Sequence, residues 1–236
     1  MLTIVILLLC LYCYPCYHCY HYNHYRYNHY HYNQYHYNQY TKLNSNKIDY
    51  NDYVNNIHDG SITRLISRVK YDGSLFKGWQ EQERSVRTVQ GTLSYVLSKR
   101  FNVDNRIIVI GASRTDHGVH SRCQAIHFDI DNKIITSFNN DMKHLEYTIN
   151  RMLPDDLKLY NMTIAPSLYD ANDLWHARKS AIGKLYSYRF CHNTFVDPIR
   201  RHYVAPCRRM DINLFNDCLQ LYQGILSFNI TIITFF

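Results

Sequence analysis

One ten-residue stretch, GASRTDHGVH at positions 111–120, holds the side chains best suited to chemistry in this 236-residue chain. Arg114 and Asp116 lie two positions apart, so a fixed cation stands beside a carboxyl group. A guanidinium this close favours the ionised carboxylate, the form that a nucleophile or a base requires. The competing interpretation is a pair that only braces a turn, because ion pairs in surface loops are common. Residue types and spacing alone favour the bracing role.

The segments on either side of this stretch place it on a loop between two strands. Positions 106–112, RIIVIGA, predict a short buried strand, and positions 123–130, CQAIHFDI, alternate between apolar and polar residues as a half-buried strand does. Catalytic side chains concentrate on loops that a rigid sheet carries. Gly111 and Gly118 permit backbone angles closed to other residues, which allows a tight loop.

Further elements are predicted on both sides of this loop. A strand at 62–71 should place Leu65, Val69 and Tyr71 on one face. Thr88 is the expected N-cap of a helix that carries Val89, Leu93, Val96 and Leu97 on one side. Two helices are predicted at 141–152 and at 211–222, the second with Leu214, Cys218 and Leu221 on one side, and two strands at 156–165 and 184–191. This mixed order predicts an α+β fold with a mainly antiparallel sheet and flanking helices.

Charge is distributed unevenly along the chain. Residues 1–61 hold three basic and three acidic groups, so residues 62–236 carry 23 basic and 16 acidic groups and the whole excess of +7. A basic folded part favours a polyanionic partner such as nucleic acid. A basic surface without a partner is equally consistent with these numbers.

The first 61 residues differ in composition from the rest of the chain. Residues 2–13 form an apolar run with the length of a signal-peptide core, too short for a comfortable membrane span. Because no basic residue precedes it, a wrongly assigned translation start competes with a targeting segment. Residues 20–39 are four Tyr-, His- and Asn-rich pentads, whose period fits neither helix nor strand, and they predict disorder. Weak RNA stacking by these rings is the less favoured alternative. Residues 41–61 predict a linker.

Four cysteines at regular spacing raise the question of a metal site. Cys10, Cys13, Cys16 and Cys19 are three residues apart, which suits a metal or an iron–sulfur cluster by ligand type. The stretch has none of the Gly and Pro turns that shape a metal-binding knuckle, so drift within a repeat is the favoured interpretation. The remaining four cysteines are scattered singly, which favours a reducing compartment over a disulfide framework.

The 111–120 loop resembles the active-site loop of TruA-type tRNA pseudouridine synthases, which reads G-R-T-D-x-G-V-H. Here Ser113 stands in place of the usual glycine. Four more segments resemble family motifs and follow in the family's order: YDGSLFKGWQEQ at 71–82, SVRTVQGTL at 85–93, INRMLPDDL at 149–157 and WHARKSAIGKLYSYRF at 175–190. Five ordered matches identify residues 62–230 as the N-terminal part of such a catalytic domain.

The resemblance implies an activity and roles for five residues. Such an enzyme cuts the N1–C1′ bond of a uridine in tRNA, turns the base and rejoins it through C5, without metal or organic cofactor. Asp116 would be the nucleophile, and Arg114 would pair with it and fill the space that the base vacates. Tyr186 would pack against the flipped uracil, although the strand pattern alone favours a core aromatic. Thr115 and His120 are assigned to substrate binding, and His120 is not expected to act as a catalytic acid.

The resemblance also has a limit on the C-terminal side. The family domain continues through later strands and a second active-site cation, and residues 231–236 match nothing in it. Without those strands the sheet would keep an unpaired edge. The alternative function is therefore a catalytically inactive tRNA-binding fragment from an incomplete gene model. The expected partner is tRNA, with a homodimer left open and no stable membrane association. The compartment is the cytoplasm or nucleus, or an organelle if residues 1–40 are a targeting sequence.

Overall fold

The structure, a computed structural model, describes residues 61–83, 85–166, 175–181, 183–191, 195–207 and 210–220, and the backbone of residues 2–9. The predictions for the pentads, the N-terminal cysteines, the linker and the C-terminal tail lie outside these residues. No helix in the described ranges is both long enough and apolar enough to cross a membrane.

Two sheets form the β-structure of the described residues. The strands are β1 (Leu2–Leu9), β2 (Ile62–Tyr71), β3 (Ile110–Gly111), β4 (Ser121–Asp131), β5 (Leu157–Ile164), β6 (Gly183–Cys191) and β7 (Ala205–Pro206). The larger sheet has the order β3-β4-β2-β5 and is antiparallel throughout. In the smaller one, β6 pairs antiparallel with β1 and parallel with β7. The predicted α+β fold with a mainly antiparallel sheet is confirmed.

The central strands follow the predicted alternation. Leu65, Val69 and Tyr71 of β2 are buried, as are the alternating apolar residues of β4. Leu65 lies opposite Phe128, so the apolar faces of the two strands coincide. A one-residue slip would turn these side chains to the opposite face, so burial fixes the register.

Helices cover the apolar face of the larger sheet. They are α1 (Val89–Phe101), α2 (Asn132–Ser137) and α3 (Met142–Met152). A fourth helix, α4 (Ile212–Gln220), contacts β6 of the smaller sheet instead. Thr88 caps α1 by accepting a hydrogen bond from the Gly91 N–H, as predicted. Leu93 of α1 and Leu145 of α3 join the sheet residues in one buried cluster. The two helices and the sheet therefore share a single core.

The strand predicted at 106–112 is much shorter in the structure. Only Ile110–Gly111 pairs with β4. Side chains of α1 bond the preceding backbone instead: Gln90 Nε2 donates to the Val109 carbonyl at 2.8 Å, and Ser98 Oγ accepts from the Ile107 N–H at 2.9 Å. Because these bonds satisfy the backbone, the segment stays extended and partly buried without a strand neighbour.

The last predicted helix is present, but the side that carries Leu214 and Cys218 is not its contact side. Leu214 is 62% exposed and Cys218 is exposed, whereas Phe215 is half-buried. The Phe215 ring packs edge-on against Phe190 of β6, with centroids 6.0 Å apart. Contact with β6 therefore selects the neighbouring side of the helix. Leu221 lies outside the described residues.

Side chains of α3 occupy the side of β5 that faces away from β2. Asn150 Nδ2 donates to the Leu159 carbonyl at 2.7 Å, and Asn150 Oδ1 accepts from the Leu159 N–H at 2.9 Å. Glu146 Oε2 accepts from the Met162 N–H at 2.9 Å. The helix thus supplies part of the hydrogen bonding that a further strand would give.

Asn150→Ala is expected to lower the free energy of unfolding by about 2 kcal/mol, because both backbone groups of Leu159 lose their partner. Urea denaturation measures this change. Asn105 is exposed, and Asn105→Ala should change the free energy of unfolding by no more than about 0.5 kcal/mol. Equal effects of the two substitutions would contradict a supporting role for Asn150.

Candidate active site

The loop of residues 112–120 joins β3 to β4 and rests against the turn that follows β2. The Tyr71 hydroxyl lies 2.8 Å from Thr115 Oγ1, and the Trp79 N–H donates to the Thr115 carbonyl at 2.8 Å. Thr115 is therefore fixed through both its side chain and its backbone. The backbone of Asp116, the next residue, is positioned as a consequence. Substrate binding by Thr115 stays a prediction.

Two glycines allow this turn to approach the loop closely. Gly78 has a φ of +103°, and a Cβ there would lie 2.9 Å from the Thr115 carbonyl oxygen. A Cβ on Gly73 would overlap the carbonyl oxygen of Val119. Glycine is needed at both places, at Gly78 also for its backbone conformation. The YDG…GW segment thus packs against both ends of the 115–119 stretch.

Strands β4 and β6 hold the first part of the loop. Gln124 Nε2 donates to the Ser113 carbonyl at 3.0 Å, and the Ala112 N–H donates to the Ala125 carbonyl at 2.8 Å. Ser113 Oγ lies 3.1 Å from the Tyr186 hydroxyl. Ser113, which replaces the usual glycine of the resembling loop, therefore connects the loop to β6.

Asp116 is exposed on this loop and lies within electrostatic reach of the tyrosines on β6. Burial raises the pKa of Tyr188, and the neighbouring Tyr186 and the negative charge of Asp116 add to that rise. Tyr186 and Tyr188 are half-buried rather than enclosed in the core. The contact with Ser113 places Tyr186 against the loop that carries Asp116, and both residues were selected from the sequence.

Arg114 is not paired with Asp116 in this structure. Both residues are exposed, and none of the ion pairs among the described residues joins them. The other basic group close to Asp116 in the loop is His117, whose Nε2 lies 3.3 Å from Lys77 Nζ. The Arg114–Asp116 pair stays a prediction.

His120 makes the backbone contacts expected of a lone loop histidine. Its Nδ1 accepts from the Gly73 N–H at 3.1 Å, and its Nε2 lies 2.7 Å from the His202 carbonyl, to which it donates. Its ring packs against Tyr203, with centroids 4.6 Å apart. These contacts tie the end of the loop to residues 202–203, and substrate binding by His120 stays a prediction.

Asp72 connects the same three segments through its carboxylate. Oδ1 accepts from the backbone and the hydroxyl of Ser74, and Oδ2 accepts from the Tyr203 hydroxyl at 2.5 Å. Burial opposes the charged form, but the hydrogen bonds from Ser74 and Tyr203 and the nearby His120 lower the pKa of Asp72 to about 2. Nothing in the sequence pattern indicated Tyr203, because it lies 131 residues from Asp72.

The Asp72 network should make stability depend on acid pH. The folded-state pKa of about 2 lies below the ordinary value of 3.8, so the unfolded chain binds more protons between those values. The stabilisation of the folded state by Asp72 is complete above the ordinary pKa of 3.8 and is lost as pH falls toward the folded-state pKa. Urea unfolding between about pH 6 and pH 3 measures this loss. Tyr203→Phe removes one donor and raises the folded-state pKa of Asp72 toward 3.8, so the loss should become smaller, and an unchanged profile would contradict the network.

The WHAR segment packs behind the loop. Arg178 Nε donates to the Gly111 carbonyl at 3.3 Å, and the Ala177 N–H donates to Nδ1 of the buried His127 at 3.1 Å. Burial lowers the pKa of His127, and the charges of Arg64, His176 and Arg178 lower it further. The ordered motif matches pointed to this segment, but no spacing rule indicated that Arg178 reaches Gly111.

Comparisons with known proteins match the part of the chain that contains this loop. The family profile described as tRNA pseudouridine synthase matches residues 68–172. The chain is 40% identical over 143 residues to tRNA pseudouridine synthase A of Lactobacillus helveticus, covering 61% of this chain and 49% of that protein. It is 33% identical over 167 residues to the protein of that name in Thermus thermophilus, which covers 70% of this chain and 60% of that protein. For the Bacillus subtilis protein of that name the identity is 37% over 140 residues, covering 59% and 51%.

The matched region includes the loop and the turn after β2 that supports it. The chain spans about half the length of the curated relatives that it matches. Residues 68–172 contain the turn after β2, the 112–120 loop and β5, and the alignments cover up to 167 residues of the chain. Residues 68–172 of the chain therefore match the TruA-type family of tRNA pseudouridine synthases.

Proposed function

We propose that this chain converts uridine to pseudouridine in tRNA, with Asp116 as the nucleophile. The observation that carries the proposal is the position of Asp116. Asp116 is exposed within electrostatic reach of Tyr188 of β6, while contacts from Tyr71, Gly78 and Trp79 fix the adjacent backbone. A nucleophile on a rigid support loses little entropy when it meets its substrate.

The reaction is an isomerisation and balances without a redox partner. The N1–C1′ bond of uridine breaks, the base turns, and a C5–C1′ bond forms. The C5 proton leaves to solvent, and N1 gains a proton. Attack of the Asp116 carboxylate on C1′ or on the base would each give this product. The uridine must first leave the helical stack, because its reacting atoms are otherwise inaccessible.

Residues beside Asp116 suit an everted nucleotide of an RNA strand. Tyr186, half-buried and joined to the loop through Ser113, offers a ring on which uracil can pack. Arg114 is exposed two residues from Asp116, and Lys77 is exposed beside His117. These cations suit the phosphate backbone on either side of the target. The names of the relatives support tRNA as the RNA concerned.

Release of tritium from a tRNA transcript labelled at C5 of uridine tests the proposal, because only formation of the C5–C1′ bond expels that proton. The full chain should release tritium and bind the transcript. Binding without release would favour the non-catalytic RNA-binding alternative. Absence of both would contradict any role of the free chain on tRNA.

A further inference from the structure

Arg178, which contacts Gly111 at the start of the 112–120 loop, is half-buried and has a free outer edge. Its Nε donates to the Gly111 carbonyl at 3.3 Å, and its backbone N–H donates to His176 Nδ1 at 3.2 Å. The terminal nitrogens Nη1 and Nη2 make no hydrogen bond or ion pair with any residue that the structure describes. A half-buried guanidinium therefore keeps one edge open for a ligand.

Three other arginines of the described chain have a carboxylate partner. The pairs are Arg64 with Asp129 at 2.8 Å, Arg87 with Asp156 at 2.7 Å and Arg106 with Glu81 at 2.5 Å. A partly desolvated cation is unfavourable unless an anion and hydrogen bonds compensate it. Arg178 has no such partner among the described residues, so its outer edge is available to an anionic ligand.

The described neighbours of Arg178 do not neutralise its positive charge. His127, behind the loop, is buried and takes the Ala177 N–H on its Nδ1, so it adds no negative charge. The Gly111 carbonyl accepts from Nε only and fixes the plane of the guanidinium. A planar guanidinium whose Nε is bonded presents two parallel N–H donors, which match two oxygens of a phosphate group.

We propose that Arg178 binds a phosphate of the RNA backbone next to the nucleotide on which Asp116 acts. The proposal rests on the proposed function, since RNA is the anionic substrate considered. Gly111 begins the loop that carries Asp116, so one guanidinium would contact both the RNA backbone and the base of the loop. The bound phosphate would then have a fixed position relative to the nucleophile.

The salt dependence of tRNA binding tests this contact. Each phosphate contact contributes about 0.7 to 0.9 to the slope of log affinity against log salt concentration. Arg178→Ala should reduce the slope of the wild-type chain by that amount and weaken binding at low salt about tenfold. Arg151→Ala removes the same charge from an exposed site at the end of α3. Its slope should equal that of the wild type.

A purely supporting role gives a different result. If Arg178 only braces Gly111, Arg178→Ala lowers the melting temperature and leaves the salt slope unchanged, which overturns the proposal. Arg178→Lys covers the case in which the alanine variant does not fold. It keeps the charge and should keep the slope, with weaker binding at every salt concentration because the fork is lost. Unaltered affinity of the lysine variant also overturns the proposal, whereas a wild-type chain that binds no tRNA contradicts the proposed function itself.

Discussion

Asp116→Asn is expected to reduce tritium release from C5-labelled tRNA by at least about a thousandfold, as removal of a catalytic nucleophile does in other enzymes. The amide has nearly the shape of the carboxylate but cannot attack carbon. The loop should keep its conformation, because its supports reach the backbone and Thr115 rather than the Asp116 side chain. Affinity for tRNA should therefore stay close to that of the wild type.

Asp104→Asn is the matched control, since Asp104 is exposed and outside the loop. It makes the same chemical change and should leave both release and binding unaltered. Release that survives in the Asp116 variant would refute the nucleophile assignment. If release and binding were lost together, Asp116 would be a binding residue instead.

Gly73→Ala should disrupt the site without altering any group that touches substrate. The new Cβ would overlap the Val119 carbonyl oxygen, and both partners are backbone, so the turn or the loop must move. Overpacking of this kind costs about 1 to 3 kcal/mol of stability. A shift of about 1 Å in a catalytic group can lower a rate about a hundredfold. Thermal unfolding and tritium release measure the two effects.

Gly118→Ala separates overlap from backbone strain. Gly118 lies in the 112–120 loop with a φ of +77°, and a Cβ there would meet nothing within 4 Å. This variant should lose about 1 kcal/mol through its left-handed conformation and keep most of its activity. If the two alanine variants behaved alike, the close approach of Gly73 to Val119 would not be what positions the loop.

Local pattern predicted most of the regular structure. Alternating burial identified β2 and β4, and the capping residue Thr88 identified the start of α1, because each signal lies within one element. The candidate active-site loop could be selected for the same reason, since its residues lie within ten consecutive positions. Its placement between two strands follows from their order along the chain.

Contacts between distant segments could not be predicted in this way. His120 bonds to residue 202, and Arg178 bonds to Gly111, 67 residues away, without any periodic pattern to indicate either contact. The segment at 106–112 has the composition of a strand, but α1 side chains bond its backbone. The contact side of α4 depends on Phe190, which belongs to another element.

The contacts that α3 makes with β5 have a consequence for the solubility of the chain. An open strand edge is a template on which other molecules can add strands and aggregate. At Leu159 and Met162, carboxamide and carboxylate groups already occupy the outward backbone sites. Intermolecular strand addition at β5 would have to displace both side chains, so the helix protects this margin of the sheet against amyloid-like growth.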